Sequence, residues 1–384
     1  MQKILLLLLI VTGLLTITTP VFAQVAPLPE QLLPHDSYYK ATVEQILKEQ
    51  TQQSDGSTVI NQEIKIQFLQ GPQQGKEVTV ERSTDFRLAG SQKLTPGTVV
   101  IIDVTTQPGT PVHYTITDVY RLNFLWYLAA AFFAFTLLVA GWKGLSAGAG
   151  LAISLLVIML GIVPAILHHF DPLTVCMIGA LVILLSTTFI AHGFSKSTAV
   201  AIISTFLSLI ATLIFSLVAV HLAHMAGLGT EDSFMLELNP SQNIDARGLL
   251  LGGIIIGALG ALNDITTTQV AAIYALIRTN PKADLLHLIE QGFLIGREHI
   301  VSLVNTLVLA YAGSSLTVFI FFALNPAHLP WWVIVNNETV SEEIIRALAG
   351  SFGLVLAIPI TTILASYLAS RDRDSAQHIG LHAH

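Results

Sequence analysis

The chain has 384 residues, of which 53% are hydrophobic and only 11% are charged, and its formal net charge is -7 at pH 7. Soluble globular domains carry about 25% charged residues, so most of this chain must lie in lipid. The acidic balance offers no electrostatic footprint for nucleic acid, and a single cysteine excludes an internal disulfide.

The first 23 residues follow the pattern of an export signal. Lys3 forms a short basic n-region, residues 4–15 an apolar h-region, and residues 21–23 a cleavage site of the small-x-small type. The alternative is an uncleaved transmembrane helix, although the h-region is short for a span of about 20 residues. Both alternatives export the segment that follows, and we predict a signal peptide over residues 1–23.

Residues 24–121 have an ordinary soluble composition and predict an extracytoplasmic β-rich domain. Apolar and polar residues alternate, β-branched residues are frequent, and Gly and Pro separate the strands. Five strands are predicted, at residues 38–47, 59–69, 76–81, 98–105 and 112–119. Five strands in so short a segment suggest a small barrel of the oligonucleotide/oligosaccharide-binding type, a fold name that implies no ligand.

Residues 122–370 predict a transmembrane helical bundle, and residues 371–384 a cytoplasmic tail. Seven spans are predicted, at residues 122–140, 146–167, 173–191, 198–220, 248–277, 300–324 and 344–369. The predicted fold class is therefore an α-helical membrane bundle of about seven helices with an N-terminal exported, small all-β, barrel-like domain.

The distribution of Lys and Arg predicts the orientation in the bacterial cytoplasmic membrane. An exported N-terminal domain followed by seven crossings places the C-terminus in the cytoplasm. On this topology the outer loops hold only Arg247 and Arg346, in agreement with the positive-inside rule. The inner segments hold Lys143, Lys196, Arg278, Lys282, Arg297, Arg371 and Arg373.

Two segments are predicted to differ from simple spans. Residues 283–297 mix apolar and polar side chains in the pattern of a helix that lies along the inner interface. The span at residues 248–277 is too long for one perpendicular crossing of a hydrocarbon core of about 30 Å. It must tilt, break or extend into the cytoplasm.

The fifth span carries the first candidate site. It begins with closely spaced glycines, which allow another helix to approach, and continues into a polar segment around Asp264. A carboxylate within a span costs about 2.5 to 3.5 kcal/mol unless it is neutralised, paired or hydrated. The alternatives are a structural hydrogen bond between helices, or a span that leaves the membrane before Asn263. The candidate intramembrane polar site consists of Asn263, Asp264, Thr267, Thr268 and Asn305.

A second cluster lies at the start of the sixth span. Helical spacing places Glu298, Ser302 and Asn305 on one stripe, which could line a path from the inner surface. The alternative is that Arg297 is a positive-inside anchor with Glu298 as its solvated partner. The candidate residues of a cytoplasmic entrance are Arg297, Glu298, His299 and Ser302.

Three sequence blocks carry a resemblance to a known family. They are residues 257–268 (GALGALNDITTT), residues 296–299 (GREH) and residues 305–313 (NTLVLAYAG). In order and spacing they resemble the YibE/YibF-like family of bacterial membrane proteins, and the resemblance implies this architecture for the whole chain. Related sequences often carry an acidic residue where this chain has Ala275, and Asp where it has Glu298. These departures weaken the case for a catalytic role shared with the family, and the resemblance leaves the function open.

The function predicted from these features is a permease-like secondary transporter of a small solute or ion. One alternative is an envelope accessory or assembly protein that binds a protein partner through the exported β domain. Another is a membrane-embedded enzyme that uses Asp264 with Glu298 or His299 as acid and base. No P-loop and no His-Glu-x-x-His motif occurs. We predict no catalytic residues, no cofactor, no metal site and no nucleic-acid partner; the predicted partners are the lipid bilayer and the solute or ion.

Overall fold

The computed structural model describes residues 35–54, 57–84, 93–106, 111–238, 244–325 and 328–371. The predicted signal peptide and the tail beyond Arg371 lie outside the described residues. The chain forms two compact units, a β-sheet unit and a helical unit, which divide between Phe135 and Thr136.

The first unit is a curled, five-stranded antiparallel sheet. Its strands are β1 (His35–Ser54), β2 (Ser57–Phe68), β3 (Glu77–Thr84), β4 (Val99–Thr106) and β5 (His113–Val119), in the order β3-β2-β1-β4-β5. β1 pairs with β4 through its first residues and with β2 from Ala41 onward, and register shifts beyond Val43 and Ile46 increase its curvature. The five predicted strands and the all-β, barrel-like class are thus confirmed. Among the described residues no ladder joins β3 to β5, so the sheet is a half-barrel.

The inner face of the sheet forms the core of this unit. In β2 the side chains of Ile64, Ile66 and Phe68 are buried and alternate with partly exposed ones, as one buried face requires. Gln62 is the polar exception on this face. Its side-chain amide accepts a hydrogen bond from Leu94 N (3.1 Å) and donates one to Leu94 O (3.3 Å). Leu94 lies outside the strands, so the amide satisfies backbone groups that have no partner in the sheet.

The described residues that follow the sheet form helices, the first of which crosses the division between the two units at Thr136. They are α1 (Leu122–Ala140), α2 (Trp142–Leu167, with a π-helical turn at Ile158–Ile162), α3 (Pro172–His192), α4 (Lys196–Leu222), α5 (Glu231–Glu237), α6 (Ala246–Thr279), α7 (Leu285–Ser314), α8 (Leu316–Leu324), α9 (Trp331–Val335) and α10 (Glu338–Arg371). Seven of them, namely α1 to α4, α6, α7 and α10, are long and apolar enough to cross a membrane, which confirms the predicted number of spans.

Helices α4, α6 and α10 form the centre of the bundle. α4 and α10 are antiparallel and touch where Gly353 faces Thr212, and a Cβ added at Gly353 would collide with the Thr212 hydroxyl. α6 is parallel to α10, because Ile254 clusters with Ala349 near one end and Ile273 with Ala365 near the other. α3 packs on α6 at Gly252, where an added Cβ would lie 2.9 Å from Cys176 Cβ. Small residues therefore set the helix spacing.

The structure changes the sequence prediction for one helix, and for another it excludes one of the alternatives, a break in the fifth span. The interfacial helix predicted at residues 283–297 is the first half of the continuous helix α7, and its Leu288, Gly292 and Gly296 are buried against the bundle. The amphipathic pattern belongs to a packed face, and the glycines allow the close approach. α6 runs without a break through Asn263 and Asp264 over 34 residues, about 51 Å at 1.5 Å per residue.

A carboxylate clamp holds the segment between α4 and α5 against the first turns of α10. Glu338 Oε1 accepts hydrogen bonds from the backbone N of Ala226 (2.7 Å) and Gly227 (3.0 Å), and Glu342 Oε1 accepts from Gly229 N (2.9 Å). Glu342 is 3% exposed, and Arg346 forms ion pairs with Glu342 and Glu343. Two buried or partly buried charges are thereby satisfied by backbone donors, as buried charges must be.

Candidate functional site

Helix α6 positions the first candidate site. Its core face carries aliphatic side chains such as Ile254, Ala258, Leu262 and Ile265, which are buried against α3, α4, α7 and α10. Asp245 begins the helix by accepting a hydrogen bond from Arg247 N (3.1 Å). Because the aliphatic side chains of α6 are buried on one face, helical periodicity determines which residues lie on the opposite face.

The opposite face of α6 is exposed and consists of small or polar residues. Between Gly253 and Ala275 no large apolar side chain is exposed on this helix. By contrast, the exposed face of α1 carries bulky side chains such as Phe124, Trp126 and Leu138. The exposed face of α6 therefore lacks the composition that this protein presents to lipid elsewhere. It is formed by Gly253, Gly257, Gly260, Asp264, Thr268, Ala271 and Ala275, and we call it the small-residue face.

Asp264 lies at the centre of the small-residue face. Within the described ranges its carboxylate accepts no hydrogen bond and forms no ion pair, and His192, at the end of α3, lies within electrostatic range. A carboxylate near the middle of a long apolar helix is costly where that helix spans a membrane, and this one has no fixed partner among the described residues. It is therefore free to bind a proton, a cation or a hydrogen-bond donor.

The polar neighbours of Asp264 on α6 bond elsewhere. Asn263 turns toward α3, where its Oδ1 accepts from Thr188 Oγ1 (2.9 Å). Thr267 Oγ1 donates to the backbone oxygen of Asn263 (2.8 Å), and Thr268 Oγ1 donates to that of Asp264 (2.8 Å). These bonds satisfy the two hydroxyls within the helix itself, an arrangement that tends to bend a helix slightly. The carboxylate itself receives none of them.

The candidate residues on α7 lie along its exposed side. Arg297, Glu298, Ser302 and Asn305 are exposed, and His299 is partly buried with an unpartnered Nδ1. In the described part of the chain no hydrogen bond or ion pair connects these residues to Asp264. The structure therefore places the predicted entrance residues together on α7 but does not join them to the small-residue face by direct contacts.

Tyr311 is the residue of α7 that borders the small-residue face, and sequence reasoning did not assign it a role. A Cβ added at Gly257 would lie 2.6 Å from the Tyr311 hydroxyl, so the glycine makes room for the phenol. Tyr311 lies in the third of the sequence blocks that carry the family resemblance (residues 305–313). Its position in that block was the sequence signal that could have identified it. Its hydroxyl is thus a polar group of α7 that lies next to a glycine of α6.

Sequence reasoning also missed polar contacts inside the bundle. The hydroxyls of Thr205 on α4 and Thr266 on α6 share a hydrogen bond of 2.5 Å. Gln269 Nε2 donates to Gly292 O (2.7 Å) on α7 and to Thr362 Oγ1 (2.8 Å) on α10. These bonds join four helices through neutral side chains on the core face of α6.

The described geometry supports neither a serine nucleophile of the Gly-x-Ser-x-Gly type nor a metal site. Residues 144–148 match the Gly-x-Ser-x-Gly pattern, but they lie within helix α2, and Ser146 Oγ donates to Lys143 O (2.8 Å). A nucleophile elbow instead requires a strand-to-helix turn. In the described ranges no group of three or more His, Cys, Asp or Glu side chains could hold a metal ion.

Comparison with known proteins gives matches to two family models. The model described as YibE/F-like protein matches residues 128–371, and the model described as the YibE/F family N-terminal domain matches residues 37–119. Neither a curated protein nor a solved structure matches the chain. The matched ranges include both the sheet and the small-residue face.

Proposed function

Because the chain belongs to the YibE/F-like family, a family of multi-pass membrane proteins, we propose that it is a permease-like secondary transporter of a small solute or ion. The observation that carries this proposal is the unpaired carboxylate of Asp264 on the small-residue face. An ionisable group in a membrane-spanning helix is costly and typically marks an ion or substrate path.

The small-residue face supports a path better than a lipid contact. Glycines, threonines and alanines leave space beside the helix, and the side chains of Asp264 and Thr268 place polar groups next to that space. In this proposal Asp264 binds the coupling proton or cation, and Asn263, Thr267, Thr268 and Asn305 contribute polar groups to the same path. Tyr311 borders the path at Gly257.

The second part of the proposal is orientation. The export signal and the distribution of Lys and Arg support an external β domain and a cytoplasmic C-terminus in the cytoplasmic membrane. The exposed residues Arg297, Glu298 and Ser302, together with the partly buried His299, then form the cytoplasmic entrance on α7. Polar side chains of this kind are suited to the end of a solute path that opens to water.

The orientation predicts the outcome of reporter fusions. Fusions after Gln70 and near Glu237 are expected to report an external location, and fusions after Lys282 and at the C-terminus a cytoplasmic one. The reason is the retention of Lys and Arg on the cytoplasmic side during insertion. Paired alkaline phosphatase and fluorescent-protein fusions measure this directly. A cytoplasmic signal near Glu237 would contradict the proposed topology.

Transport is tested by comparing a strain that lacks the protein with one that overproduces it. Cell-associated elements and metabolites are measured in both, with a strain producing Asp264→Asn at equal abundance as the control. A selective and opposite change in one solute supports transport. Unchanged solutes together with an altered envelope composition would contradict it and favour an accessory role.

A further inference from the structure

The groups around Asp264 indicate which ion it binds. Helix α6 runs without a break through this residue, so the backbone carbonyls in this part of the helix accept helical hydrogen bonds. The hydroxyls of Thr267 and Thr268 each donate to a backbone oxygen of the same helix. The side-chain oxygen of Asn263 accepts from Thr188 on α3. Among the described residues the site therefore offers one free carboxylate and few other oxygens.

This set of groups does not suit a metal cation. Transporters that bind Na⁺ near the middle of the membrane typically interrupt a helix and use its free backbone carbonyls. Ca²⁺ and Mg²⁺ take about six or more oxygen ligands. The unbroken helix α6 meets neither condition at Asp264. A proton requires only the carboxylate itself, and its binding removes the cost of a charge within a span.

The packing of α3 on α6 brings His192 into the neighbourhood of this carboxylate. Cys176 lies against Gly252 near the start of both helices. Further along both helices Thr188 donates to Asn263 (2.9 Å), so α3 and α6 are parallel. His192 lies one turn beyond Thr188 on the same side of α3. It is exposed at the end of that helix, and its charge acts on the carboxylate of α6.

The other helices that pack on α6 contribute fewer charges near Asp264. Residues 197–220 of α4 and 347–370 of α10 contain no Asp, Glu, Lys, Arg or His. α7 packs on α6 where Gly296 lies against Gln269, five residues along α6 from Asp264. Next to this glycine α7 carries three ionisable residues, namely Arg297, Glu298 and His299. In the described part of the chain none of these three forms a hydrogen bond or an ion pair with Asp264.

We propose that the ion bound by Asp264 is a proton, and that His192 sets the pH range in which the carboxylate binds it. A positively charged imidazole favours the ionised carboxylate, so protonation of His192 opposes protonation of Asp264. Histidine changes charge near neutral pH, and the two groups therefore titrate as a coupled pair. The inference rests on the proposed function only for the use of this proton in transport.

The proton is tested with dicyclohexylcarbodiimide, a reagent that modifies protonated carboxyl groups in apolar surroundings. The purified full-length protein in detergent is treated over a series of pH values, and the modified fraction of Asp264 is measured by mass spectrometry, with Asp264→Asn as the blank. We expect modification to fall as the pH rises and to be equal in NaCl, KCl and choline chloride at one ionic strength. Protection by sodium or potassium at constant pH would overturn the proposal, and so would modification that does not change with pH.

Two substitutions of His192 separate an effect of charge from an effect on structure. His192→Gln removes the charge and is expected to move the midpoint of the modification profile to higher pH by about half a unit, because no imidazolium then favours the ionised carboxylate. His192→Lys keeps a positive charge and is expected not to raise the midpoint. Shifts to higher pH in both variants, or an unchanged midpoint in His192→Gln, would overturn the role of His192.

Modification of Asp264 does not depend on transport, so the two proposals fail separately. A wild-type protein with the expected pH profile but no effect on any cell-associated solute would contradict the transporter and support the protonated carboxylate. A selective effect on a solute, together with protection of Asp264 by sodium, would support the transporter and overturn the proton.

Discussion

Asp264→Asn is expected to leave the protein at its normal abundance in the membrane and to abolish its effect on cell-associated solutes. The amide has nearly the size of the carboxylate, and among the described residues no hydrogen bond to that carboxylate would be lost. What disappears is ionisation, on which binding of a proton or cation depends. Membrane abundance by immunoblot and solute content by elemental and metabolite analysis are measured on the same cells.

The control for this substitution is Glu290→Gln, which removes an exposed carboxylate from α7 outside the candidate site. It is expected to change neither abundance nor solute content. A fully functional Asp264→Asn protein would rule out the ion-path role. A protein that disappears from the membrane would instead assign Asp264 to folding, because a carboxylate that only links helices contributes to stability.

Gly227→Ala is expected to destabilise the bundle strongly. Gly227 has φ of 84°, in the left-handed region, and an added Cβ would lie 2.6 Å from the Ala246 carbonyl carbon and 2.8 Å from Arg247 N. The left-handed conformation alone costs about 1 to 2 kcal/mol for alanine. The collision of the new Cβ with the first turn of α6 adds about 1 to 3 kcal/mol. The loop that contains Gly227 cannot move away from α6 without breaking its hydrogen bonds to Glu338 in the carboxylate clamp. Thermal unfolding in detergent measures the loss.

Gly193→Ala is the matched control. Gly193 also has a positive φ, 70°, but nothing lies within 4 Å of an added Cβ. With ψ of -175° its backbone is at least as unfavourable for alanine as the left-handed region, but no collision is added. Gly193→Ala is therefore expected to lower the melting temperature by less than Gly227→Ala does, because the collision adds to the backbone cost only at Gly227. Equal losses in the two variants would show that the collision adds no cost.

The strands and the spans were predictable because each leaves a clear pattern in the sequence. Alternation from Ile60 to Phe68 follows from one buried sheet face, and long runs without charge follow from the hydrocarbon core. The first half of α7 was predicted wrongly as an interfacial helix. A helix packed on the bundle by Leu288 and Gly292 has the same amphipathic pattern as one that lies on the membrane, and composition does not separate the two.

The candidate site was predictable only in part. Asp264 was identifiable because a charge within an apolar span is rare. Its lack of side-chain bonds was not, since Asn263 and Thr268 could as easily have bonded to the carboxylate as to Thr188 and the backbone. The polar contacts inside the bundle left no pattern either. Single neutral residues such as Gln269 and Thr362 interrupt apolar sequences in many membrane helices, and only helix packing brings these two together.

The carboxylate clamp joins the three central helices at one end through charged side chains. Glu338 and Glu342 tie α10 to the loop that follows α4, and Arg247 Nε of α6 donates to Met225 O (3.0 Å) in the same loop. At their opposite ends the same helices pack through apolar side chains such as Val200, Ile273 and Ala365. The two ends of the bundle centre are therefore held by different forces: hydrogen bonds to ionised groups at one end, which depend on pH and salt, and apolar packing at the other, which does not.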